Sequence, residues 1–193
     1  MKIKIYYDYL CPFCYIGSMR IKEIATDYTL ELEWKGIEIH PEYPPSGKKR
    51  KKTLHSALIT EKIKDMSSED GLSINLPGLL TNTRLVLEAA VFAKEESSFP
   101  EFHYSVYEAY FHDGVNIGDK KEILKIAQKA GLDVERLETA LDKRTYSHSI
   151  DGNQLDAETD MILGVPTFVI NRFPIYGAQS SETLKKIIDK FND

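Results

Sequence analysis

Two side chains in this sequence can trade electrons through sulfur, and they are its only cysteines: Cys11 and Cys14, in the stretch Y-Y-D-Y-L-C-P-F-C-Y-I-G. Three chemistries fit a pair spaced in this way. It could be a redox couple, half of a metal site, or two inert buried thiols. A structural zinc site needs about four ligands, and only His40, His55, His103, His112 and His148 could complete one; none stands in an H-x(3-5)-H arrangement. No metal site is expected. Inert thiols are common in general, but C-P-x-C between a strand and a helix favours redox exchange. A helix N-terminus carries partial positive charge and free N–H groups that stabilise a thiolate. Cys11 is placed at such an end. Cys14, one helical turn later, can return to the same sulfur and act as the resolving thiol.

Two other places could serve the pair. Asp8, three residues before Cys11, is either a proton acceptor that tunes Cys14 or a turn residue closing a strand. In G-V-P-T-F-V-I, Gly164 to Ile170, Pro166 cannot donate a ladder hydrogen bond. It marks a strand start, an edge or a cis bond. Tyr104, Tyr107 and Tyr110 could line an apolar groove or pack in the core.

These residues need elements to hold them. Residues 2–8 alternate Ile3, Ile5 and Tyr7 against Lys2, Lys4 and Tyr6, the pattern of a first strand. The following segment spaces Ile16, Met19, Ile21 and Ile24 as a helix, with Pro12 where a first turn tolerates proline. Residues 30–39 alternate Leu30, Leu32 and Trp34 as a second strand bending near Gly36. Helical spacing dominates the middle. T-R-L-V-L-E-A-A-V-F-A-K-E-E is apolar around most of its circumference, and F-P-E-F-H-Y-S-V-Y-E-A-Y-F-H-D-G carries Phe102, Val106, Ala109 and Tyr110. Asp119 and Asp133 are N-cap candidates for two further helices, the first stopping at Gly131. The chain then reverts to strands: V-P-T-F-V-I, a turn at Asn171 and Arg172, F-P-I-Y-G-A-Q pairing back, and a serine-capped amphipathic helix. The order β-α-β, helices, β-β-α describes an α/β domain split by a helical insertion. The expected parts are residues 1–45, an insertion over 46–160, and 161–193.

Composition narrows the function. Two cysteines are too few for a disulfide-stapled secreted scaffold, and a net charge of -5 argues against nucleic-acid binding. The basic run Gly47 to Lys52 is expected to be a solvated loop after Pro44 and Pro45. No apolar stretch is long enough for a membrane span. The first residues alternate charge and aromatics and lack the features of an export signal. A soluble, cytoplasmic protein is expected.

C-P-x-C between a first strand and helix, a long helical insertion, and V-P-T before a hairpin and last helix together resemble the DsbA-like branch of the thioredoxin superfamily. More narrowly, D-Y-L-C-P-F-C-Y-I-G, T-R-L-V-L-E-A-A-V-F-A-K-E, F-H-Y-S-V-Y-E-A-Y-F-H-D-G-V-N-I-G-D and G-V-P-T-F-V-I-N-R-F-P-I-Y-G-A-Q resemble FrnE-like members of that branch. The resemblance implies a thioredoxin-like fold interrupted by an all-helical insertion domain. It also implies that Cys11 is an exposed nucleophile and Cys14 a buried resolving thiol. Val165 and Pro166 would lie beside them across a cis bond, Val165 contacting an extended substrate. Pro12 and Phe13 would face substrate too. They depart from relatives that carry Pro-His or Pro-Trp, so without an imidazolium the couple is expected to be less oxidising than exported DsbA. The implied activity is thiol–disulfide exchange with protein or low-molecular-weight thiols, by a monomer or homodimer. No bound cofactor is implied, and glutathione is a candidate co-substrate. Two alternatives use the same scaffold: a glutathione-dependent isomerase or transferase related to 2-hydroxychromene-2-carboxylate isomerase, where serine usually replaces the first cysteine, and a chaperone-like module with incidental thiols.

Overall fold

The structure, a computed structural model, describes residues 1–51 and 53–192. Lys52, the last of the basic run, lies outside the described residues, as does the side chain of His55. Strand β1 (Lys2–Tyr7) is followed by helix α1 (Pro12–Ile24) and strand β2 (Glu31–Gly36). Two-residue strands β3 (Lys48–Lys49) and β4 (Leu79–Leu80) flank helix α2 (Leu54–Glu69). Helices α3 (Arg84–Glu95), α4 (Phe99–Phe111), α5 (Lys120–Lys129), α6 (Val134–Asp142) and α7 (Ser147–Thr159) come next. Strands β5 (Thr167–Ile170) and β6 (Phe173–Tyr176) and helix α8 (Ser181–Asn192) close the chain.

The main sheet runs β2-β1-β5-β6. β1 pairs parallel with β2 and antiparallel with β5, and β5 antiparallel with β6. This arrangement makes β1 central, so residues just past its end sit inside the molecule. Ile3, Ile5 and Tyr7 are buried as their alternation requires. Tyr6, expected on the outer side, is also fully buried, because α7 covers that face: Tyr6 packs with Ile37 and Ala157, and its hydroxyl donates to Asp160 Oδ2 at 2.7 Å. The last residue of β2, Gly36, is glycine for a steric reason. A Cβ there would lie 2.6 Å from Leu87 Cδ2 and 3.3 Å from Tyr7 Cζ.

The expected caps hold α5 and α6: Asp119 accepts from Lys121 N at 2.8 Å, and Asp133 from Arg136 N at 3.0 Å. The hairpin turns where Asn171 and Arg172 adopt positive φ of 48° and 71°. The basic run is not wholly a solvated loop. Lys48 and Lys49 pair antiparallel with Leu80 and Leu79, and the Lys48 ammonium sits 3.5 Å from the Tyr43 ring centroid. Arg20, on α1, is a buried tie: it donates to Asp70 Oδ2 at 2.7 Å and to the carbonyls of Ala178 and Gln179 at 3.0 Å each. It thereby fastens α1 to the end of α2 and to the approach to α8.

Candidate functional site

The sequence dictates a bend at the thiols. β1 ends at Tyr7, and Asp8 folds the next residues: its Oδ1 accepts from Leu10 N at 2.9 Å and its carbonyl from Cys11 N at 3.2 Å. Cys11 caps α1 in an extended conformation, Pro12 occupies the first turn, and Cys14 N returns to Cys11 O at 3.0 Å. Both cysteines are thiols. Gly17 then lets α1 approach the strand after the cis peptide, since a Cβ there would lie 3.1 Å from Phe168 Cζ and 3.4 Å from Pro166 Cγ. The two distant segments meet as a result. The Val165–Pro166 bond is cis, and Cys11 Sγ donates to the Val165 carbonyl at 3.4 Å.

Cys11 is more covered than an exposed nucleophile should be: 7 % of its surface is accessible, against 1 % for Cys14. The Val165 carbonyl lies against its sulfur. None of the free N–H groups of α1 hydrogen-bonds the Cys11 side chain in this thiol state; the carbonyl of Val165 is its partner instead. Pro12, Phe13 and Val165 are half-buried and Pro166 is buried. The Lys62 ammonium of α2 stands 5.8 Å from the Phe13 ring centroid. Beside the cis bond a pocket of about 250 Å³ is lined by Leu163, Gly164, Val165, Pro166, Tyr176 and Gly177. Larger hollows of about 540 and 530 Å³ lie against the β5–β6 turn and the β2 edge, and neither includes a thiol.

Asp8 is fully buried. Its carboxyl makes no hydrogen bond to Cys14. Besides Leu10 N it accepts from Ile39 N at 2.8 Å and from Thr83 Oγ1 at 3.2 Å, joining the thiol loop to the segment after β2 and to the start of α3. Burial pushes its pKa up to about 6, opposed by the N–H groups of Ile39 and Leu10 and by the Thr83 hydroxyl. Burial also pushes the Cys14 thiol well above its ordinary value, helped by its hydrogen bond with Cys11. The backbone of Asp8 opposes that rise, while its charge adds to it. Asp8 therefore fits both readings of the sequence, as turn residue and as electrostatic neighbour of Cys14.

The tyrosines do not line a groove. Tyr107 and Tyr110 are fully buried, and Tyr104 is half-buried with its hydroxyl on Ser18 O at 3.3 Å. Sequence reasoning missed His103, which lies in an aromatic box of Tyr7, Tyr9, Trp34, Phe99 and Tyr107. Its ring nitrogens face Tyr9 Oη at 3.1 Å and Ser18 Oγ at 3.2 Å. Burial, then the Lys94 charge, pushes its pKa well below the ordinary value, so it is neutral. Its i, i+4 spacing from Phe99 and Tyr107 was the available signal. Thr83 gave none, because only folding brings it to Asp8. Among the described residues, no three His, Cys, Asp or Glu side chains cluster to hold a metal ion, and no helix is long and apolar enough to cross a membrane.

A four-stranded sheet carrying a cysteine pair at the start of its first helix, opposite a cis-proline loop and behind inserted helices, defines a thioredoxin-like protein. The chain belongs to the DSBA-like thioredoxin domain family, whose model matches residues 2–189. It is 32% identical over 191 residues to the uncharacterized protein YwbO of Bacillus subtilis (strain 168), covering 96% of this chain and 94% of YwbO. In structure it is similar to a probable DsbA oxidoreductase, SCO1869 from Streptomyces coelicolor, with TM-score 0.89 and 20% identity over 99% of this chain and 89% of that one. It is also similar to a 2-hydroxychromene-2-carboxylate isomerase, with TM-score 0.84 and 18% identity over 98% and 95% of the two chains.

Proposed function

We propose that this protein is a cytoplasmic thiol–disulfide oxidoreductase that exchanges disulfides with protein or low-molecular-weight thiols, glutathione among them, through Cys11 and Cys14. The observation that carries the proposal is the convergence of the pair on the cis-proline loop, with Cys11 Sγ 3.4 Å from the Val165 carbonyl oxygen. A lone pair of packing cysteines has no need of that loop. Of the two sulfurs Cys11 keeps the greater access, so it is the one an incoming sulfur reaches.

In the oxidising direction a substrate thiolate attacks Cys11 Sγ of the disulfide form. The substrate–Cys11 bond forms, the Cys11–Cys14 bond breaks, and its electron pair stays on Cys14. A second substrate thiolate then attacks the substrate sulfur and displaces Cys11, leaving substrate oxidised and both cysteines reduced. Run backwards, Cys11 attacks a substrate disulfide and Cys14 resolves the mixed disulfide. Pro12, Phe13, Val165 and Pro166 form the substrate-contacting rim in this reading, with Val165 offering backbone to an extended segment. Asp8, ionised above about pH 6 and acting on Cys14 through its charge, is in this reading the acceptor for the proton that Cys14 gives up before it attacks.

The test is capture in cells. A Cys14→Ser variant should accumulate mixed disulfides on Cys11 that a Cys11→Ser variant does not. Equal capture by both variants refutes the exchange reading.

A further inference from the structure

Tyr107 is the buried tyrosine that the fold leaves unpaired. Its side chain is fully buried, and its hydroxyl has no hydrogen-bond partner among the described residues. Other phenols of the interior are paired: Tyr6 donates to Asp160, Tyr9 pairs with His103, Tyr104 donates to Ser18 O and Tyr110 to Leu79 O. A buried polar group without a partner is unfavourable, and structures rarely tolerate one without a use.

Its position says what the use is. Tyr107 comes from α4, yet its ring is wedged between the two flanks of the cysteine motif. It meets the ring of Tyr9 at 5.0 Å and 62°, and stacks on Tyr15 at 5.0 Å and 16°. Tyr9 lies two residues before Cys11, and Tyr15 directly follows Cys14. Burial pushes the Tyr107 phenol well above its ordinary value, and the charge that Cys14 would carry as a thiolate is the next cause.

We propose that Tyr107 is a further catalytic residue of the exchange, its hydroxyl donating a hydrogen bond to the Cys14 sulfur whenever that sulfur is a thiolate. The inference rests on the exchange reading above. A neutral thiol is a weak acceptor, and in the reduced state Cys14 is engaged with Cys11. Once the Cys11–Cys14 bond breaks heterolytically, or once Cys14 loses its proton before attack, the sulfur becomes a buried anion that needs donors beyond the backbone of Asp8. Tyr107 supplies one and keeps its own proton throughout. No bond to Tyr107 forms or breaks, and the electrons move only between sulfurs.

Reaction of the reduced protein with dithiobis-nitrobenzoate separates the steps. Attack by Cys11 releases one thionitrobenzoate, and attack of Cys14 on the mixed disulfide releases the second. In Tyr107→Phe the first phase should be unchanged, while the second slows about tenfold and its pH midpoint rises by about one unit, the size expected for losing one bond to a charged group. A merely structural Tyr107 predicts the reverse pattern: greater thermal stability, from removing an unpaired hydroxyl, with the second phase unmoved. That result overturns the proposal. If Tyr107→Phe fails to fold, site-specific 3-fluorotyrosine at 107 keeps the shape and strengthens the donor. The midpoint should then fall, and an unshifted midpoint also overturns the proposal. A wild-type protein with no second phase, or a Cys14→Ser variant that retains one, overturns the exchange reading itself and this inference with it.

Discussion

Replacing Asp8 by Asn tests the electrostatics of the site where the structure makes it most quantitative. The carboxyl is fully buried and its pKa is raised from 3.8 to about 6, burial being the largest cause. A rise of that size corresponds to about 3 kcal/mol. The sign follows from proton binding. Between the two values the folded protein holds a proton that the unfolded chain has released, so stability falls as pH rises. The contribution is fully present below about pH 4 and gone above about pH 6. Asp8→Asn removes the titration. It also sets an N–H₂ group against donors that the second oxygen had accepted, Ile39 N and Thr83 Oγ1, or Leu10 N if the amide is reversed. That cost is the same at every pH, so it moves the offset and leaves the slope. Urea unfolding of both reduced proteins from pH 4 to pH 7.5 gives the difference in stability. Wild type minus variant should fall by about 3 kcal/mol across that range. A flat difference would mean that Asp8 titrates normally in the fold, and its assignment as acceptor for the Cys14 proton would lose its physical basis.

Two further outcomes bear on the rim and on the scaffold. Phe13→His places an imidazole one residue from each thiol; below its pKa the cation favours the reduced, thiolate-bearing form, and the reduction potential should rise by about 20–30 mV, as read by equilibration with glutathione. No change, or a fall, would show that residue 13 does not set the poise of the pair. Gly36→Ala should cost about 1–3 kcal/mol in urea unfolding, because the new methyl would sit 2.6 Å from Leu87 Cδ2 inside the core; unchanged stability would mean that Leu87 turns away freely.

Local physics made much of this arrangement legible in the sequence. The strand alternation at Ile3, Ile5 and Tyr7, the proline at the first turn of α1, the aspartate caps and the Asn171–Arg172 turn each depend on neighbours within a few residues. What escaped depends on partners far along the chain. Helix α7 reads S-H-S-I-D-G-N-Q-L-D-A-E-T and buries only Ile150, Asn153 and Ala157, too sparse a stripe to announce itself. Beside the packing of Ala157 on Tyr6, its hold on the sheet is polar: Asn153 Nδ2 donates to Gly36 O at 3.0 Å and Lys35 pairs with Asp156 at 3.0 Å. The same helix reversed the expectation for Tyr6, since a strand's alternation tells the two faces apart but not whether the second is covered.

The covering of Cys11 has the same origin and more consequence. Spacing assigns two sulfurs to one helical turn and puts Cys11 at its N-terminal end, which already favours Cys11 as the attacking sulfur. What spacing could not supply is Val165, 154 residues away, whose carbonyl accepts the hydrogen bond of the Cys11 thiol while Cys14 is the more deeply buried sulfur. The same residue lines the apolar pocket beside the cis bond. A substrate strand that pairs with the Val165 backbone would therefore compete with Cys11 for the same oxygen, and docking would free the nucleophile at the moment its target arrives. In this reading the cis-proline loop both recognises the substrate and releases the thiol.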